Sequence, residues 1–185
     1  PIQNDATGVE VYSSIFALEE SPHNEGEIWV GSDDGLIHIT RDGGKTWEDI
    51  TPSKIIPYQG TINKIELSSH NAGRAIVAVY NYRNGDPKPY IILTNDYGKS
   101  WKLISKDNGI PNDHFVRAVA EDPSRKGLLY AGTEFGAYVS FNNGGSWNSL
   151  QLNLPHVPIT DMEVNQNDLA ISTQGRGFWM LDKIN

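Results

Sequence analysis

The side chains of this chain that could do chemistry are concentrated in a few glycine-bounded turns. GSDDG at 31–35 carries Asp33 and Asp34, NYRNG at 81–85 carries Tyr82 and Arg83, and GTEFG at 132–136 carries Glu134. TQGRG at 173–177 adds Gln174 and Arg176, and PNDHF at 111–115 adds His114. Two carboxylates roughly 5–10 Å apart are the usual machinery for hydrolysing a glycosidic bond. That chemistry makes Asp33 or Asp34, with Glu134, the catalytic candidates. Cationic, aromatic and amide side chains converging on one mouth would instead hold a sugar or a peptide. Arg83, Tyr82, His114, Gln174 and Arg176 are the ligand-binding candidates. No spacing in the sequence fixes the distance between the carboxylates, so the elements that carry them must be found first.

Other common chemistries lack their residues. Cysteine is absent, which removes disulfides, thiolate metal ligands and a cysteine nucleophile. The sequence contains no HExxH or paired-histidine motif, no GxSxG elbow and no phosphate-cradling glycine loop, so neither a metal nor a cofactor is expected. GSDDG lacks the spaced oxygen ligands of an EF-hand loop. Fifteen Lys and Arg against twenty-three Asp and Glu leave a net charge of −8, which argues against nucleic acid or an anionic membrane as partner. No apolar run approaches the roughly 20 residues that cross a bilayer as a helix. No basic-then-apolar leader is visible, and a chain that opens at Pro1 reads as a processed protein or an excised piece of a longer one.

The elements emerge from a repeat. TRDGGKTW at 40–47 returns as TNDYGKSW at 94–101 and as SFNNGGSW at 140–147, with separations of 94 − 40 = 54 and 140 − 94 = 46 residues. That spacing suits units of four short strands, as in a propeller blade of roughly 40–50 residues. Ahead of each box run β-branched and aromatic segments bounded by Gly, Asn, Asp, Pro or Ser, for example TINKIEL, RAIVAVY and YIILT before the second, which is the strand-and-turn signature. A short fourth strand follows each box, in TWEDI, SWKLI and SWNSL. The chain ends in a partial unit, ITDMEV, LAISTQ and GFWMLD, that stops after its third strand and has no box. No sustained helical period appears. The expectation is an all-β propeller segment spanning 1–185, with four-stranded antiparallel blades at about 9–51, 60–105, 114–152 and 158–185.

Each box has a physical job. Its acidic residue can accept backbone N–H groups, its glycine tolerates positive φ, its hydroxyls can tie the hairpin base, and its tryptophan is an apolar plug between strands. The structural residues so assigned are Thr40, Asp42, Gly44, Thr46 and Trp47; Thr94, Asp96, Gly98, Ser100 and Trp101; and Ser140, Asn142, Gly144, Ser146 and Trp147. Asn142 can accept the same bonds without charge, an exchange a general acid would not tolerate.

These segments resemble the Asp-box, or bacterial neuraminidase repeat, of the form Ser/Thr-x-Asp-x-Gly-x-Ser/Thr-Trp, and only Asn142 departs from it. The phrases GSDDGLIHITRDGGKTW, GTEFGAYVSFNNGGSW and TQGRGFWMLD look like the large bacterial glycosyl hydrolase-like Asp-box proteins related to sortilin-type propellers. The resemblance implies a β-propeller, usually of six or more blades, in a secreted or periplasmic protein. It implies little about chemistry, because such propellers include glycosidases, sorting receptors and assembly factors.

Propeller geometry sorts the polar residues. The boxes share one face with the turns between first and second strands, where PHNEG and SHNAG place His23 and His70, read as structural or solvated. His38 falls on a strand and is read as packed or partly buried. The opposite face receives the carboxylate and arginine turns, together with Tyr58, Asn112, Asp113, His114 and His156 from the loops between blades. A sialidase would need an arginine cluster there. Of the six arginines, Arg41, Arg74 and Arg125 lie on the box face, which leaves Arg83, Arg176 and Arg117, the last on an inner strand. The reading is therefore a non-catalytic module for protein or glycan binding or scaffolding, with a glycoside hydrolase active in a larger ring as the alternative. The unfinished last blade implies exposed apolar ends. A second copy, giving an eight-bladed ring, or the remainder of a longer propeller chain would cover them. Pro1–Thr7 is a poor candidate for the missing strand.

Overall fold

A computed structural model describes residues 13–184 of the chain. Among these residues fifteen strands form four antiparallel sheets, and the single helical element is a 3-10 turn at Tyr82–Asn84. The first sheet is β1 (Ile15–Glu20), β2 (Ile28–Ser32), β3 (Ile37–Thr40) and β4 (Glu48–Asp49). The second is β5 (Thr61–Leu67), β6 (Ala75–Asn81), β7 (Asp86–Thr94) and β8 (Lys102–Leu103). The third is β9 (Val116–Glu121), β10 (Leu129–Thr133), β11 (Gly136–Ser140) and β12 (Asn148–Ser149), and the fourth is β13 (Ile159–Asn165), β14 (Asp168–Thr173) and β15 (Phe178–Leu181). Each sheet is a meander in sequence order, and the four stand side by side as the blades of a partial β-propeller. The segment Pro1–Thr7 lies outside the described residues.

The sheets pack face to face, so their middle strands are apolar on both sides rather than alternating. All seven residues of β6, AIVAVYN, are buried, as a strand covered on both faces requires. Three cores result, one per junction. Trp29, Ile37 and Ile39 of the first sheet meet Ile62, Ile65 and Val77 of the second. Ile76 and Ile91 of the second meet Val119 and Leu129 of the third, and Tyr130 and Val139 of the third meet Ile159, Met162 and Leu169 of the fourth. Gly31 and Gly132 permit the approach, because a Cβ at either would sit 2.2 or 2.4 Å from the Cγ2 of Ile62 or Ile159.

The boxes are closed hydrogen-bonded loops. Asp42 accepts from the Thr40 hydroxyl (2.8 Å), the Thr46 N–H (2.9 Å) and the Thr46 hydroxyl (2.7 Å), while the Thr40 hydroxyl receives Gly44 N–H (2.9 Å). These bonds, led by the Thr46 hydroxyl, hold the Asp42 carboxyl down at about 2. Asp96 repeats the pattern with Thr94, Gly98 and Ser100. In the third box Asn142 Oδ1 accepts Ser146 N–H and the Ser140 hydroxyl, and Nδ2 reverses the remaining bond by donating to Ser146 Oγ at 3.1 Å.

The tryptophans do something the strand pattern does not suggest. Each stands outside the two-residue fourth strand, so that strand is shorter than expected, and the indoles of Trp101 and Trp147 turn toward the preceding sheet. Trp101 Nε1 donates to the Ile50 carbonyl (2.9 Å) and Trp147 Nε1 to the Ile104 carbonyl (2.8 Å). The same two isoleucines fill the space over the box glycines: a Cβ at Gly98 or Gly144 would lie 2.8 Å from the Cβ of Ile50 or Ile104. One box thus grips, by indole and glycine, the residue that follows the fourth strand of the blade before it.

Two further links run along the same face. His23 Nε2 donates to the Ser68 carbonyl (3.0 Å), and His70 Nε2 to the Asp122 carbonyl (2.7 Å), so each histidine reaches the next blade. Arg74 donates to Glu121 across the junction (Nη2, 2.8 Å; Nε, 3.1 Å), to Asn95 and to Asn143. Gly127 N–H completes the Glu121 shell, so this buried pair is fully satisfied.

The ends of the arc differ from its interior. On the first sheet Ile15 is 63 % exposed, Leu18 59 % and Trp47 46 %, against 3 % for Trp147. On the last sheet Phe178 is 88 % and Met180 62 % exposed. The inner strands converge, so that Lys64 on β5 pairs with Asp161 on β13 (3.3 Å) and approaches Glu19 on β1 (3.9 Å). Glu66 on β5 is pushed up to about 8, chiefly by burial, with the charges of Glu163 and Glu19 adding and the Glu121 N–H opposing.

Gly98→Ala and Gly144→Ala force a Cβ into Ile50 or Ile104 at positive φ and will each cost about 2–4 kcal/mol. Gly44→Ala meets nothing closer than Trp47 Cζ2 at 3.9 Å and will cost about 1–2 kcal/mol, the backbone penalty alone; urea unfolding that returned three equal losses would refute the grip. Glu66 is raised from the ordinary 4.5 to about 8, so its contribution to stability is present below pH 4.5 and is lost as pH rises toward 8. Glu66→Gln keeps an acceptor for the Glu121 N–H and will raise Tm by a few degrees at pH 8 and little at pH 4.5, at about 2–4 °C per kcal/mol. A gain independent of pH would contradict that assignment.

Candidate functional site

On the face away from the boxes, the second and third sheets build a clustered group of cationic, acidic and aromatic side chains. Its centre is Arg117 on the inner strand β9. Arg117 Nε donates to Glu134 Oε2 at 2.9 Å, and Nη2 stands at the same distance. Glu134 is placed by the tight turn between β10 and β11, where Phe135 N–H is held by the Thr133 hydroxyl (3.2 Å). The Arg117 guanidinium lies 5.0 Å over the ring of Phe115 and 5.6 Å over that of Tyr82. Those two rings stack at 4.4 Å and 18°, and Tyr80 packs against both. Charge over a π face and a shared ion pair fix the guanidinium from two sides.

His114 forms the third-sheet flank. Its ring is 4.6 Å from Phe135, and Nδ1 shares a hydrogen bond with the Tyr138 hydroxyl (2.9 Å). Burial lowers its pKa, and the nearby Asp113 carboxylate only partly offsets this. Phe135, His156 and Tyr58 are exposed around the rim, and His156 Nδ1 donates to the Phe135 carbonyl (3.2 Å).

The other candidates are distributed differently. Arg83 stands over Tyr80 at 5.9 Å, and a hydrogen bond with Tyr82 is the main influence keeping it charged, with Asp33 contributing. Asp33 itself accepts the N–H groups of Ser13 (3.0 Å) and Ser14 (2.9 Å). Asp34 accepts the hydroxyls of Ser13 (2.7 Å) and Ser32. Burial works against its charge, yet the bonds from Ser32 and Ser13 hold its carboxyl below the usual carboxylate value. Gln174 and Arg176 stand exposed on the fourth sheet, engaged through their backbones: Gln174 N–H donates to Pro158, and the Arg176 carbonyl accepts the Trp179 indole.

The structure therefore gathers Tyr82, Arg83, His114 and Glu134 near one mouth. It leaves Gln174 and Arg176 on another sheet, and it binds Asp33 and Asp34 into the turn that anchors residues 13–14. Asp34, whose carboxyl the serine hydroxyls hold below the usual carboxylate value, is the opposite of a proton donor, and Glu134 spends Oε2 on Arg117. Tyr80, Phe115 and Tyr138 belong to the cluster but were not singled out in the sequence. The available signal was adjacency, since Phe115 follows His114 and Tyr80 stands two residues before Tyr82.

No known protein-family profile matches the chain. Among curated proteins, the oligoxyloglucan-reducing end-specific xyloglucanase of Emericella nidulans is 27 % identical over 126 residues, which is 68 % of this chain and 15 % of that enzyme. The solved structure of YCF48 bound to D1 peptide superposes with a TM-score of 0.65 at 18 % identity, over 92 % of this chain and 52 % of that one. The Niastella koreensis GH74 enzyme superposes with a TM-score of 0.70 at 13 % identity, over 91 % of this chain and 28 % of that one. These likenesses place the chain among β-propellers, and it spans about half or less of each of these relatives. Among the described residues no helix is long and apolar enough to cross a membrane.

Proposed function

We propose that the chain is one segment of a larger Asp-box β-propeller, secreted or periplasmic, whose mouth binds a glycan without hydrolysing it. The observation that carries this reading is the Arg117–Glu134 pair set among Tyr82, Phe115 and Phe135. A guanidinium and a carboxylate in fixed positions present donors and acceptors to sugar hydroxyls, and the half-buried Tyr82 and exposed Phe135 offer ring faces to a pyranose. Further blades, from a longer chain or from a second copy, complete the ring. Support comes from the partial coverage of the longer relatives and from the apolar side chains exposed on both end sheets.

Hydrolysis is the second reading, favoured by the likeness to the xyloglucanase. It is the weaker one because Glu134 is ion-paired and Asp33 and Asp34 are tied into a local turn, which leaves no acid–base pair facing a shared space among the described residues.

Calorimetric titration with xyloglucan oligosaccharides decides between them. Saturable binding is expected, weakened at least 10-fold by Arg117→Met and by Glu134→Gln, with no reducing sugar released. Turnover abolished by Glu134→Gln or Asp34→Asn would establish the hydrolase. Absence of both binding and turnover would overturn the glycan reading.

A further inference from the structure

Among the described residues, the outer face of the first sheet is the uncovered half of a junction that the chain forms elsewhere. By register, Ile15, Leu18, Val30 and His38 hold the places of Ile62, Ile65, Val77 and Ile92 on the second sheet. In the second sheet all four are fully buried against the first. On the first sheet Ile15, Val30 and His38 line a groove of about 360 Å³ that extends to Leu36 and Trp47, and Leu18 is exposed.

We propose that this face docks another blade, and that the incoming blade is of the second blade's kind, carrying a histidine in its first turn, an arginine just before its second strand and an isoleucine after its fourth. The inference rests on the reading of the chain as part of a larger ring and adds the chemistry of what must come before it.

Three sites on the first sheet specify those residues, each through a filled counterpart. The first is the box itself. Gly98 with Trp101 holds Ile50, and Gly144 with Trp147 holds Ile104, whereas the space over Gly44 is open and the Trp47 indole has no acceptor among the described residues. The second is Ser21, which has the backbone turn of Ser68 and Asp122: Ser21 N–H donates to Glu27, Ser68 N–H to Arg74 and Asp122 N–H to Leu128. The carbonyls of Ser68 and Asp122 each receive a histidine from the preceding blade, so the Ser21 carbonyl is the place for a third. The third is Glu20. It accepts Gly26 N–H (3.1 Å) as Glu121 accepts Gly127 N–H (3.0 Å), but Glu121 also receives Arg74 of the preceding blade. Glu20 is exposed and paired with no cation among the described residues.

Within the chain only the second blade carries all three complements, His70, Arg74 and Ile104. The first has Glu27 where the second has Arg74, and the third has Ser124 and Leu128 at the two turn positions. A second copy's last sheet fits worse. Its turn between Asn165 and Asp168 has no histidine, and Asp168, counted back from Thr173 as Arg74 is from Val79, would set a carboxylate against Glu20.

The absence of cysteine makes a single reporter clean. Leu18→Cys in the full chain should react with a thiol reagent at the rate of an exposed thiol. Adding a copy of residues 60–105 ahead of residue 1 should slow that reaction at least 100-fold. Introducing His70→Ala, Arg74→Met and Ile104→Ser into the added copy alone should return at least 10-fold of the rate. Unchanged labelling on adding the blade overturns the docking face. Protection that survives the three changes overturns the proposed complement. Slow labelling of the unextended chain also overturns it: release on dilution would assign the face to a second copy, and release on deleting residues 1–12 would assign it to the chain's own first residues. None of these outcomes depends on glycan binding at the mouth, which is titrated separately.

Discussion

Everything in this arc depends on how one blade holds the next. A four-stranded sheet that is apolar on both faces has no stability alone, since half of its buried surface belongs to a neighbour. Hydrophobic packing between the sheets supplies most of the energy but little direction. Direction comes from the box face. There an indole N–H finds one carbonyl, a glycine without a Cβ admits one isoleucine, and a histidine reaches forward to a second carbonyl. Each such bond is worth about 1 kcal/mol, yet together they fix the angle at which successive sheets meet.

That constraint leaves the opposite face free to vary. Since the boxes and first turns set blade geometry, the turns between second and third strands carry no structural duty of comparable strictness. The first is consumed in anchoring residues 13–14 through Asp33 and Asp34. The second forms a 3-10 turn that brings Tyr82 to Phe115, and the third aims Glu134 at Arg117. The mouth is therefore asymmetric within a repetitive scaffold, with its chemistry gathered at the junction of the second and third sheets. A rigid junction matters there, because the ring stack draws on both sheets and the Arg117 guanidinium lies over a ring from each.

Much of this was legible in the sequence, for a definite reason. Strand alternation, glycine turns and the hydroxyl–carboxylate pattern of the boxes are local, and local rules act through neighbours within about five residues. The all-β propeller, the three boxes and the exchange of Asn142 for Asp could be read that way. What could not be read was which group in a neighbouring sheet a side chain would meet. Trp47, Trp101 and Trp147 look alike in sequence, yet two have a preceding isoleucine to grip and Trp47 has none among the described residues. Arg117 is a strand residue by pattern, and it lies at an irregularity in the β9–β10 register, beside Glu134 in the next turn of its own sheet. Asp33 and Asp34 look available until the serines at 13 and 14 are seen to claim them.

If each box grips the blade before it, the indole protons carry the record of that grip. In a 15N-labelled sample the three box indole N–H resonances can be assigned and their exchange with D2O followed. Slow exchange is expected for Trp101 and Trp147, whose protons are held on Ile50 and Ile104, and fast exchange for Trp47. Equal exchange at all three positions, or rapid exchange at Trp101 and Trp147, would contradict it.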